Sequence, residues 1–173
     1  MRIAFSALLL ILSLAGFVTA EPSVIGIYAD RLNDPNLTAC PYCARPIRAG
    51  SIHQDAEAVL IDELRQGLAD SGVSYNLGRD DARSIQVFVF RFEERRGGNF
   101  AVERPAGVGF HLHLLDRKRV IKVFQFDETQ QPLSDNILKF GLFLRRGAKW
   151  VTARELAEEG IEKRITFLQE DVR

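Results

Sequence analysis

Three apolar runs decide the fold: Ile85 to Glu94 (IQVFVFRFEE), Gly107 to Leu115 (GVGFHLHLL) and Val120 to Phe126 (VIKVFQF). Each is rich in Val, Ile and Phe, which suit a pleated, buried surface. The first is apolar on both faces through its middle. Asp116-Arg117-Lys118-Arg119 is a tight turn, and Arg96-Gly97-Gly98-Asn99 is a turn signal. Such connections leave no room for a crossover, so the runs predict an antiparallel three-strand meander.

The flanks supply helices. Val24 to Ala29 (VIGIYA) predicts a buried strand, and residues 30–50, rich in Asp, Asn, Pro and Gly, predict a long loop. A helix follows from about Gln54 to Asp70. Val59, Leu60, Ile61, Leu64 and Leu68 share one broad face, and Ser71-Gly72 ends it as a glycine C-cap. Val73 to Leu77 predicts a brief strand. Beyond the meander, Leu133-Ser134-Asp135-Asn136 offers caps for a helix over about Ile137 to Arg145. Thr152-Ala153-Arg154-Glu155 is a capping box for a last helix reaching about Leu168. The order strand, helix, strand, meander, two C-terminal helices predicts one α+β domain, with helices segregated from a mostly antiparallel sheet.

The first twenty residues read differently. Arg2 precedes an apolar run from Ile3 to Leu14, and Val18-Thr19-Ala20 is a small-residue cleavage signal. This predicts a signal peptide over 1–20, with the domain over 21–173. The apolar run is shorter than the roughly 20 residues that span a bilayer, so no transmembrane span is expected in the mature chain. Export predicts a periplasmic or secreted protein in an oxidising compartment. The 23 Lys and Arg balance 23 Asp and Glu. No basic excess exists to displace counterions, so nucleic acid is not an expected partner.

Cys40-Pro41-Tyr42-Cys43 holds both cysteines, inside the long loop. A Cys40–Cys43 disulfide is the preferred expectation, contributing about 2 kcal/mol by pinning the loop. Two alternatives stand beside it. CPYC resembles the glutaredoxin active site, which would make Cys40 and Cys43 a redox pair. However, Pro46 and Gly50 keep a helix from starting on the motif, so no helix dipole would lower a thiol pKa. Alternatively, the cysteines could supply half of a tetrahedral zinc site, with His111 and His113 as the other half and Arg45-Pro46-Ile47 as a knuckle-like turn. His111 and His113 stand at i, i+2 on one strand face, where the expectation is two polar positions on a half-exposed sheet. No cofactor is expected, with zinc the alternative. Covalent haem is excluded because Ala44, not His, follows the second cysteine.

No Ser-His-Asp set, nucleophile elbow or phosphate loop occurs, so a non-enzymatic role is expected. Arg145, Arg146 and Trp150 form a small basic-aromatic cluster, the candidate docking surface for a partner.

Phe126 to Asn136 (FDETQQPLSDN), Phe143 to Gly147, Lys149 to Ala153, Glu155-Leu156-Ala157 and Gly160 resemble a family of uncharacterised, lipoprotein-like bacterial envelope proteins. The order of strand, helix and meander is similar to the amino-terminal domain of TolB and to CsgG. The resemblance implies an envelope location and no activity. Export, a complete core and the lack of an assembled catalytic set make binding to another periplasmic or outer-membrane component the expected role. A lipid-accepting cysteine, which a lipoprotein needs, is absent after Ala20.

Overall fold

A computed structural model describes residues 24–79, 82–97, 102–130 and 151–172. The expected signal peptide, the helix over Ile137 to Arg145, and Arg145, Arg146 and Trp150 lie outside these residues.

Among the described residues, nine elements follow one another. They are β1 (Ile25–Arg31), α1 (Ala56–Asp70), β2 (Tyr75–Leu77), β3 (Arg83–Glu93), β4 (Arg96–Gly97), β5 (Val102–Arg104), β6 (Gly107–Asp116), β7 (Arg119–Thr129) and α2 (Ala153–Val172). Five strands form one sheet in the order β2-β1-β3-β6-β7. β3, β6 and β7 pair antiparallel in succession. β1 lies parallel to both β2 and β3, so the sheet is mixed rather than mostly antiparallel. The reason is the α1 crossover, which returns the chain to the same end of the sheet. The β3–β6 connection is more than a turn, since β4 and β5 form a small ribbon of their own.

α1 turns Ala56, Leu60, Leu64 and Leu68 into the core, an i, i+4 stripe. It ends at Gly72, whose positive φ of 68° allows the Val73 N–H to bond back to the Leu68 carbonyl. At the other helix, the Glu155 N–H donates to Thr152 Oγ1 while the Glu155 carboxylate accepts from the Thr152 N–H, closing the capping box. Leu156, Ala157, Ile161 and Ile165 of α2 join α1, Val87, Val89, Val108, Phe110 and Leu112 in the main core. Among the described residues no helix is long and apolar enough to cross a membrane.

The second face of the sheet is covered too. Leu32, Cys40, Ile47, Phe88 and Phe90 form a separate buried cluster there. The loop is laced along β3 by Leu32 N–H to the Val89 carbonyl, Gly50 N–H to the Phe90 carbonyl and Phe92 N–H to the Ser51 carbonyl. A register shift between Val89 and Arg91 leaves Phe90 as the extra residue of a β-bulge. Phe88 and Phe90 face the loop by ordinary alternation, and the bulge turns the Phe92 side chain to the opposite face, into the main core. The Phe90 ring lies over Gly109, where an added Cβ would come within 2.3 Å of it. Gly109→Ala should therefore cost about 1–3 kcal/mol through overpacking, read as a lower urea midpoint at unchanged m-value. An unchanged midpoint would mean that the ring does not need this space.

Candidate metal centre

The loop delivers CPYC to the sheet as the tip of a tight hairpin. Ala39 bridges Pro46, the Cys40 N–H donates to the Arg45 carbonyl, and the Ala44 N–H donates to the Cys40 carbonyl. Ala44 takes the left-handed conformation, at φ 58°, which turns the chain directly after the second cysteine. No helix begins there, as the prolines and glycines predict.

β6 brings the other half. Cys40 Sγ lies 3.6 Å from His113 Nε2, and Cys43 Sγ lies 3.5 Å from His111 Nδ1. All four donor atoms lie within 4.8 Å of one another. Both cysteines are free, so the expected Cys40–Cys43 disulfide is not formed in the structure. Each sulfur instead faces an imidazole nitrogen. The expected half-exposed setting of His111 and His113 is also corrected: both are 0% exposed. The reason is that the loop closes over this face, so neither side of β6 meets water.

Burial sets the electrostatics. It lowers His111 to about 4, helped by the nearby Arg45 cation and opposed by Asp127. It lowers His113 to about 4 as well, helped by His111 and Arg45. Both imidazoles are thus neutral at pH 7, the form that binds a metal. Burial also pushes the Cys40 thiol up to about 11, against the pull of the Tyr42 and Cys43 backbone N–H groups. A thiol held this high is a poor redox nucleophile.

The donor set fits a tetrahedral zinc site. Typical zinc–sulfur and zinc–nitrogen bond lengths imply a sulfur-to-nitrogen edge of about 3.5 Å, and the two sulfur–nitrogen pairs already stand at 3.6 and 3.5 Å. Two thiolates and two neutral imidazoles around a divalent cation also sum to zero charge, which removes the penalty of burying a net charge.

Gln86, Asp30 and Tyr42 stand around the site. Gln86 Oε1 lies 2.8 Å from His113 Nδ1, and Gln86 Nε2 donates to Asp30 Oδ2 at 2.7 Å. The Tyr42 hydroxyl donates to the same Asp30 oxygen at 3.2 Å. Sequence reasoning missed these three. Gln86 carried a signal nonetheless: it is a lone amide in a run apolar on both faces, and a buried polar group needs a partner. His111 Nε2, by contrast, is buried without a hydrogen-bond partner.

No family model matches the chain. No curated protein matches it either. Several solved structures are similar to it, among them the following three. Protein XCC0632 from Xanthomonas campestris, described as family-model DUF330, is 16% identical over 88% of each chain, at a TM-score of 0.47. A minor lipoprotein from Acinetobacter baumannii is 10% identical over 84% of this chain and 93% of that one, at 0.39. A PelC dodecamer from Paraburkholderia phytofirmans is 12% identical over 82% of this chain and 84% of that one, at 0.45. None of the three bears the name of TolB or CsgG, and similarity of this degree does not carry a function from one chain to another.

Proposed function

We propose that this chain is an exported, non-enzymatic envelope protein whose long loop is clipped to the sheet by zinc. Cys40, Cys43, His111 and His113 hold the ion. The observation that carries this reading is the convergence of four donor atoms within 4.8 Å, drawn from a loop hairpin and a central strand 68 or more residues apart in sequence. Zinc supplies a cross-link here. Four protein ligands make a closed site of the structural type, whereas a catalytic zinc keeps one position for water or substrate. The apolar leader-like run and small-residue cleavage signal before Glu21 support export. The clipped face then serves as a fixed surface for another periplasmic or outer-membrane component.

The glutaredoxin-like alternative is disfavoured by the absence of a helix on the motif, which leaves no helix dipole to stabilise a thiolate. Metal analysis and thiol titration of protein purified under reducing conditions test the proposal. One zinc per chain is expected, with both thiols shielded until a chelator is added. Zinc-free protein with a persistent Cys40–Cys43 disulfide would overturn it. So would zinc-free thiols with insulin-reducing activity.

A further inference from the structure

Among the described residues the site is supported on one side only, and that asymmetry has a chemical meaning. Asp30 of β1, Gln86 of β3 and His113 of β6 stand on three neighbouring strands, with Gln86 directly opposite His113 in the ladder. Asp30 is an acceptor. Arg79 pairs with it at 3.0 Å and is itself stacked over the Tyr28 ring at 4.5 Å, and the Tyr42 hydroxyl donates to it. An acceptor at this place makes Gln86 present its amide nitrogen to Asp30, which turns its oxygen toward His113 Nδ1. An amide oxygen only accepts, so Nδ1 must carry the proton. A neutral imidazole has one such proton, so Nε2 is left with a bare lone pair. Nε2 is the atom that faces Cys40 Sγ.

We propose that Gln86 and Asp30 are positioning residues that select the Nε2-binding tautomer of His113, making it the pre-set ligand of the centre. The inference rests on the zinc reading and deepens it. Tyr42 lies between the two cysteines and bonds the same carboxylate. The hairpin tip and the histidine are thus aligned by one anchor. His111 has no such support, and its free nitrogen is buried without a partner.

Two measurements test this. In zinc-free wild-type protein, long-range proton–nitrogen NMR should show His113 protonated at Nδ1. Gln86→Leu should weaken zinc binding about 10–100-fold, the usual effect of removing an outer-shell partner of a ligating histidine. The double variant Asp30→Asn/Gln86→Glu exchanges donor and acceptor between these two positions at constant charge and keeps an acceptor on His113 Nδ1. It loses the bonds that Tyr42 and Arg79 donate to the same Asp30 oxygen, so it should recover affinity in part relative to Gln86→Leu. A wild-type His113 protonated at Nε2 would overturn the proposal, as would a Gln86→Leu protein that binds zinc at full strength. Failure of the double variant to recover affinity would also overturn it, since shape alone would then explain the loss. A wild-type protein that takes up no zinc is a different failure. It removes the zinc reading itself, and the tautomer measurement needs neither metal nor variant.

Discussion

Wild-type protein kept reduced should unfold about 8–16 °C higher in zinc than in a chelator, once free zinc stands near 1,000 times its dissociation constant. At that ratio, binding to the folded state alone contributes about 4 kcal/mol, and a domain of this size gains about 2–4 °C per kcal/mol. Cys40→Ser/Cys43→Ser should stay folded and show no zinc-dependent shift. It should fold because the main core, built from α1, α2 and the inner face of the sheet, has no residue from the cysteine hairpin. The rise should reverse when the chelator is restored. Equal melting temperatures for wild type with and without zinc, thiols verified as free, would sink the zinc reading. A shift of the same size in the double serine variant would place the metal elsewhere.

The second large effect is expected at Phe90. This ring is fully buried at the bulge and belongs to the cluster that seats the loop, with Leu32, Cys40, Ile47 and Phe88. It also meets the edge of His111, centroid to centroid at 5.1 Å. Phe90→Ala should cost about 3–5 kcal/mol, the range for a truncated buried aromatic. Urea unfolding measures it. The zinc-dependent rise in melting temperature should also shrink, because the loop loses the apolar seat that holds its cysteines opposite β6. A cost below about 1 kcal/mol would show that the loop does not pack a second core onto the sheet.

The local patterns were legible without coordinates. Apolar runs separated by turn residues specify β3, β6 and β7 and their antiparallel succession. The spacing of Leu60, Leu64 and Leu68 specifies α1, and Thr152 with Glu155 specifies the start of α2. These features depend on residues within a few positions of each other. The parallel placement of β1 between β2 and β3 was not legible, because pairing partners are chosen by how the α1 crossover packs.

The candidate centre divides along the same line. CPYC, and the i, i+2 spacing of His111 and His113 on one strand face, can be read directly from the sequence, as can the absence of a helix start after Cys43. By themselves they left disulfide, redox pair and zinc site open. Which sulfur faces which nitrogen depends on a loop folding back over the sheet, across a separation of 68 residues between Cys43 and His111. That closure buries the histidines and keeps them neutral, while the strand register sets Gln86 and Asp30 behind one of them. Burial and donor geometry arise only when distant segments share a face. Residue type and local spacing specify β3, β6, β7, the buried face of α1 and the four donor side chains, while the meeting of those donors requires the long-range closure of the loop on the sheet.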